Sequence, residues 1–110
     1  MAARKTDLLQ GTLDLIVLKL LRAGPANGWD VTQSIQTVSA GVLEVNYGSV
    51  YPALRRLEAR GLVKAKWATS ENNRRARYYQ LTPAGHKALA AEHTEWKRFS
   101  HALSLILRIP

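Results

Sequence analysis

Hydroxyls and arginines fall in two clusters whose chemistry suits a polyanion. Ser49, Tyr51, Arg55, Arg56 and Arg60 share a stretch in which Val50, Leu54 and Leu57 are apolar. Arg55 lies four residues after Tyr51, and Ser49, Arg56 and Arg60 recur at about one or two helical turns, so a helix would display them away from its apolar side. Hydroxyls hold phosphates, and arginine can bond a guanine edge at two atoms, so such a helix suits a major groove. The second cluster is Asn72, Asn73, Arg74, Arg75 and Arg77. A basic tip beside a reading helix can follow the sugar–phosphate backbone or enter the minor groove.

Other chemistry is thinly represented. His86, His93 and His101 are spaced seven and eight apart, without the i, i+4 spacing of a helical metal site, and there is no cysteine. The expectation is solvent-exposed histidine and no metal. No glycine-rich phosphate loop, nucleophile elbow or paired-acid motif is present, so no enzyme and no cofactor are expected. The absence of cysteine also excludes a disulfide framework, an iron–sulfur cluster and a thiol nucleophile.

The balance of charge points the same way as the clusters. Sixteen Lys and Arg against eight Asp and Glu give +8 over 110 residues. That excess favours a polyanionic partner, nucleic acid before anionic lipid. The length fits one hydrophobic core, marginal for a lone chain, so a partner sharing it would help. The basic start Met1–Thr6 is followed by the apolar run Leu8–Leu21. Gln10, Asp14 and Lys19 interrupt that run, which is too short and too charged to span a bilayer, so it reads as a buried helix. The expected location is cytoplasmic.

The elements that must position these residues read as helix, helix, helix, hairpin, helix. Thr12 is expected to cap the first helix, with Asp14 in its first turn. Leu13, Ile16 and their neighbours make this helix apolar all round, one face for the chain's own core and one for another subunit. A second helix is expected from about Trp29 to Ser39, with Val31, Ile35 and Val38 inward, then a short extended segment at Val42–Val45. The third helix spans about 48–60, its start supported by Pro52, and stops at Arg60-Gly61. Val63, Ala65 and Trp67 alternate with Lys64 and Lys66 as one strand, and Ala76–Leu81 returns, with a wing tip over about 68–77. Trp29 and Trp67 read as core, and one of Tyr78 and Tyr79 as core. Thr82 and Pro83 open a last helix running to about Leu107. Leu89, Trp96, Phe99, Leu103 and Ile106 follow the spacing of a helix–helix seam. The fold class is therefore mainly α with a small β-hairpin, a winged helix-turn-helix with a C-terminal dimerisation helix. Residues 1–82 would form the DNA-binding part and 83–110 the dimerisation helix, as one continuous unit.

Three stretches resemble the PadR family of bacterial transcriptional regulators. Leu9-Gln-Gly-Thr-Leu-Asp-Leu-Ile-Val-Leu18 is similar to the family's first helix. Gly48-Ser-Val-Tyr-Pro-Ala-Leu54, continued by Arg56-Leu57-Glu58 and Gly61-Leu62-Val63, is similar to its recognition helix. Arg77-Tyr-Tyr-Gln-Leu-Thr-Pro-Ala-Gly85 is similar to its second wing strand and last helix. The chain departs from the family at Asn27-Gly28-Trp29, where His-Gly-Tyr is common, and in a wing tip richer in Arg. Its single short last helix resembles the family's short-tailed branch.

The resemblance implies a repressor that pairs through its last helix into a homodimer on a near-palindromic duplex DNA operator. It implies DNA contacts by Ser49, Tyr51 and Arg55 or Arg56, and by Arg74, Arg75 and Arg77 in the wing, to which the basic tip adds Asn73. The dimer interface expected from the two apolar helices comprises Leu13, Ile16, Leu89, Trp96, Phe99, Leu103 and Ile106. Some members hold flat aromatic effectors between interface aromatics, which makes Trp96 and Phe99 candidates for that role beside their plainer one as dimer core. The rival reading is a winged helix used only for protein–protein contact, without sequence-specific DNA binding.

Overall fold

A computed structural model describes residues 5–110, with side chains from residue 11 onward. Residues 1–4 and the side chains of residues 5–10, which carry the basic start and the beginning of the first family-like stretch, lie outside the described residues. The element order is α1 (Lys5–Leu21), β1 (Ala26–Asn27), α2 (Gly28–Val38), α3 (Tyr47–Ala59), β2 (Val63–Thr69), β3 (Arg75–Leu81) and α4 (Pro83–Leu107). The three strands form an antiparallel sheet in the order β1-β3-β2. This is the expected mainly helical winged-helix architecture. The two-residue strand β1, which pairs Ala26 with Tyr79 and Asn27 with Tyr78, went unread. Two residues are too few to show an alternating pattern.

Local chemistry explains most element ends. The Asn27 side chain caps α2 by accepting from the Asp30 N–H at 2.8 Å. Asn46 does the same for α3 through Ser49 N–H at 3.0 Å, and Thr82 for α4 through Gly85 N–H at 3.0 Å. Pro52 lies in the second turn of α3 rather than the first, where it costs one ladder bond. The start of α1 corrects the sequence reading. The helix begins at Lys5, so Thr12 does not cap it and Asp14 sits in its middle, buried. No proline interrupts residues 5–12, so the helix propagates back beyond the Thr12 signal. Val42–Val45 joins no strand among the described residues.

One core unites every layer. It takes Val17, Leu18 and Leu21 from α1, Val31 and Ile35 from α2, and Val50, Ala53, Leu54 and Leu57 from α3. Leu62 joins α3 to the sheet, whose inner face adds Val63, Tyr79 and Leu81, and Leu89 joins from α4. Each such aliphatic side chain contributes about 1.5–3 kcal/mol on burial. Three expected core residues are outside it: Val38 is 75% exposed, Trp29 62% and Trp67 57%. Val38 ends its helix, and Trp67 lies toward the far end of a hairpin that outruns the helices beneath it. Of the paired tyrosines, Tyr79 is buried and Tyr78 half-buried, as strand alternation requires.

The start of α4 is locked to the start of β2. A Cβ at Gly85 would fall 2.0 Å from the Leu62 carbonyl oxygen, so only glycine permits this approach. The Thr82 hydroxyl donates to the Gly61 carbonyl at 2.7 Å, and Thr82 N–H to the Leu62 carbonyl at 3.1 Å. Beyond Leu89, α4 leaves the core, and its side chains from His93 on are almost all exposed. Among the described residues no helix is long and apolar enough to cross a membrane.

Candidate nucleic-acid interface

Helical periodicity splits α3 into two faces. Val50, Ala53, Leu54 and Leu57 are inward, which leaves Ser49, Tyr51 and Arg55 exposed along the other side together with Tyr47. Arg55 Nη1 donates to the Tyr51 hydroxyl at 3.0 Å, one turn back, and its guanidinium lies 5.9 Å from that ring's centroid. That hydrogen bond is the main reason the Arg55 guanidinium holds its proton even more firmly than an ordinary arginine. A flat cationic fork is thus held against an aromatic face, with half its side chain open to solvent.

Arg56 points elsewhere. Its Nη2 donates to Asp14 Oδ1 of α1 at 2.7 Å, and its Nε to Oδ2 at 3.5 Å. It is therefore tied to α1 and is not displayed with Arg55. Arg60 is exposed at the end of α3, where its Nη2 lies 3.6 Å from Glu92 Oε1 of α4.

The hairpin faces Tyr47 and Tyr51 of α3 across a cleft and touches α3 again near its end, at Glu58. Its register pairs Trp67 with Arg77 and Thr69 with Arg75, so these four share the inner face with Ala65 and Tyr79. The Arg75 guanidinium covers Trp67 at 5.4 Å from the ring centroid. Arg77 reaches back to α3, where its Nη2 donates to Glu58 Oε2 at 2.7 Å, and it sits 5.8 Å over the Tyr79 ring. Burial chiefly raises the Tyr79 hydroxyl pKa above its ordinary value, against the opposing charge of Arg77. At the tip, Asn73 takes φ 58°, a left-handed conformation that asparagine tolerates, and its N–H donates to the Ser70 carbonyl at 2.9 Å. Asn72, Asn73, Arg74 and Arg75 are exposed.

Between wing and helices lies a cleft of about 940 Å³. Trp29, Tyr47, Tyr51 and Trp67 line it with Arg75 and Arg77. Gly28 opens α2 beside it, where a Cβ would meet the Tyr47 ring at 2.5 Å. The structure thus brings Tyr51, Arg74 and Arg75 to one cleft, leaves Ser49 and Arg55 exposed on α3, turns Arg56 to α1, and draws Arg77 onto Glu58. The sequence reading missed Glu58, Asp14, Tyr47 and Trp29. Glu58 carried a signal, an acid three residues after Arg55; the partners of Asp14 and Trp29 are set by tertiary packing alone.

The second expected site lies on α4. Leu89 is in the chain's own core, while Leu13 and Ile16 are half-buried against that core. Trp96, Phe99, Leu103 and Ile106 are exposed, and the Trp96 and Phe99 rings lie 5.7 Å apart with planes tilted by 35°. An apolar groove of about 300 Å³ lies between α1, α2 and the first half of α4, lined by Leu15, Ile16, Leu20, Ile35, Leu89 and His93 among others. His86, His93 and His101 are exposed.

The profile of the transcriptional regulator PadR-like family matches residues 17–91 of this chain. Among solved structures, a transcriptional regulator from Clostridium thermocellum is 25% identical with a TM-score of 0.83, over 96% of this chain and 100% of that one. A PadR family transcriptional regulator from Eggerthella lenta is 27% identical with a TM-score of 0.80, over 96% of this chain and 89% of that one. An uncharacterized protein of Lysinibacillus sphaericus is 22% identical over 103 residues, 94% of each chain.

Proposed function

The chain belongs to the transcriptional regulator PadR-like family, and from that premise we infer that it is a sequence-specific DNA-binding repressor acting as a homodimer. The observation that carries this reading is the pairing of two exposed features. Ser49, Tyr51 and Arg55 stand clear on α3, and a wing tip with Arg74 and Arg75 lines one cleft with Tyr51. In this reading α3 enters the major groove and Arg55 reads a base edge, with Ser49 and Tyr51 on phosphate or base. Asn73, Arg74 and Arg75 follow the backbone beside it or enter the minor groove, and Arg77 anchors the wing.

Residues 83–110 form the pairing helix. Trp96, Phe99, Leu103 and Ile106 meet their symmetry mates, and Leu13 and Ile16 flank the seam. Two reading helices about 34 Å apart would then engage successive major grooves, so the operator is a near-palindrome. A flat aromatic ligand stacked on Trp96 and Phe99 at that seam would alter the spacing and release the DNA.

The test is selection from a random duplex library at about 0.15 M salt, which screens most non-specific attraction. Enrichment of a two-fold symmetric site supports the reading. A folded, dimeric protein that enriches nothing overturns it in favour of a winged helix that binds protein.

A further inference from the structure

We propose that Glu58 is a positioning residue for DNA reading: it divides its two carboxylate oxygens between the wing and the reading helix, and thereby aims Arg55. The proposal rests on the reading of α3 as the base-contacting helix.

The geometry is specific. Glu58 Oε2 accepts from Arg77 Nη2 at 2.7 Å, across from β3 to α3. Glu58 Oε1 lies 3.8 Å from Arg55 Nε, one turn back on the same helix. Arg55 is held a second time, by Nη1 on the Tyr51 hydroxyl at 3.0 Å. Nη1 is thus hydrogen-bonded and Nε faces the carboxylate at ion-pair distance, which favours one orientation of the fork and leaves Nη2 and the remaining N–H groups for a base edge. The Glu58 side chain is 28% exposed and that of Arg77 33%, so the pair is partly withdrawn from water and less screened than a surface bridge.

A long, flexible arginine reads a base only if its fork is presented in one orientation. Arg55 is exposed, and in the described structure it is oriented by Tyr51, through both hydroxyl and ring, and by the charge of Glu58. Glu58 is in turn oriented from the wing. The chain Tyr51–Arg55–Glu58–Arg77 therefore makes the wing part of the base-reading apparatus, through a carboxylate that contacts no DNA.

The electrostatic sign separates this role from a merely structural one. Glu58 is negative and stands near the phosphates that α3 and the wing approach. Replacing it with a neutral isostere removes repulsion, so affinity for arbitrary duplex stays equal or rises, while discrimination falls. A residue needed only for folding would lower both.

The experiment uses the full chain, the operator selected for the wild type, and single-base-pair variants of that operator. Binding is read by fluorescence anisotropy at fixed salt. Arg55→Ala first identifies the base pair that Arg55 reads. Glu58→Gln is expected to cut preference at that base pair about tenfold, the scale of one two-point arginine contact, and to leave preference elsewhere and the melting temperature nearly unchanged. Arg77→Gln, which severs the tie from the wing side, is expected to reduce preference at the same base pair. In the Arg55→Ala background, Glu58→Gln should change discrimination no further. Preference retained within twofold in Glu58→Gln overturns the proposal, as does a uniform loss at every position. If wild-type protein enriches no site, the DNA reading fails and this proposal with it; a wild-type site whose preferences survive Glu58→Gln sinks this proposal alone.

Discussion

Asp14 Oδ1 and Arg56 Nη2 lie 2.7 Å apart across 42 residues of sequence, and this pair joins α1 to α3. The side chains are 11% and 31% exposed. Two adjacent arginines of one helix thus have different fates. Arg56 secures the helix to the core, and Arg55 is presented outward, because successive residues on a helix diverge by about 100°.

Arg56→Ala should therefore act on stability. It strands a buried carboxylate and removes a charge-assisted bond, at a cost of about 1.5–3 kcal/mol. For a domain of this size that lowers the melting temperature by roughly 10 °C. Arg55→Ala should leave melting nearly unchanged and instead cost about 1–3 kcal/mol of operator binding with relaxed base preference. Calorimetry and binding on both variants check the division; equal melting losses would refute it.

The hydroxyl of Tyr79 adds a pH dependence at the alkaline end. Its folded pKa is raised above 10.0, mainly by burial. Between the unfolded and folded values the unfolded chain has released the proton and the folded chain still holds it. Stability is thus fully present below the unfolded value of about 10 and falls as pH rises through the folded one. Lysines titrate nearby in pH, so the comparison is with Tyr79→Phe. Denaturant midpoints between about pH 9 and 11 should fall more steeply for the wild type than for the variant.

What could be read from sequence followed physical range. The caps Thr82 and Pro83, the Gly61 stop, the strand alternation and the inward Val50, Leu54 and Leu57 all rest on neighbours within a turn or two. Those signals are local, and the resemblance at Gly48–Leu54 and Arg77–Gly85 reinforced them. The misreadings share the opposite origin. Asp14 looked like a first-turn acid because Thr12 resembles a cap, whereas α1 begins at Lys5, and the tie between Asp14 and Arg56 spans two helices. Trp67 and Trp29 looked like core because their apolar surface is certain but their place at the rim of a cleft is not written in spacing. The aim of Arg55 depends on Arg77 of the wing through Glu58, a link that no single element contains.

Gly85 is a sharp test of the packing that seats α4. A methyl group there would collide with the Leu62 carbonyl, a backbone atom that cannot swing aside. Gly85→Ala should cost about 1–3 kcal/mol as overpacking, although alanine favours helix. A variant as stable as the wild type by urea titration would show that α4 and β2 can part without loss.

The tip of the wing, unlike Arg77 at its base, should contribute affinity without selectivity at the base pairs read by α3. Arg74→Ala with Arg75→Ala should weaken binding to all duplexes alike. It should also flatten the slope of log affinity against log salt by about 0.9 for each phosphate contact removed. Because Arg75 lies over Trp67, Arg75→Ala alone should also change tryptophan emission in the free protein. An unchanged salt slope would place the wing off the DNA.

The last helix provides the test of assembly. Trp96, Phe99, Leu103 and Ile106 are each more than 40% exposed in the single chain, while Leu89, two turns before Trp96, is held in its own core. Burying the roughly half of each side chain still exposed against a second copy would contribute about 1 kcal/mol each. None of the four supports the chain's own core, so charging two of them should separate subunits before it unfolds either. Phe99→Asp with Leu103→Asp is expected to give a monomer by light scattering, with far-ultraviolet dichroism showing the helices largely retained. A monomer engages one half-site only, so operator affinity should fall steeply while binding to a half-site duplex falls little. A double variant that remains dimeric at micromolar concentration would place the interface elsewhere, and would leave the α4 stripe without the partner proposed for it.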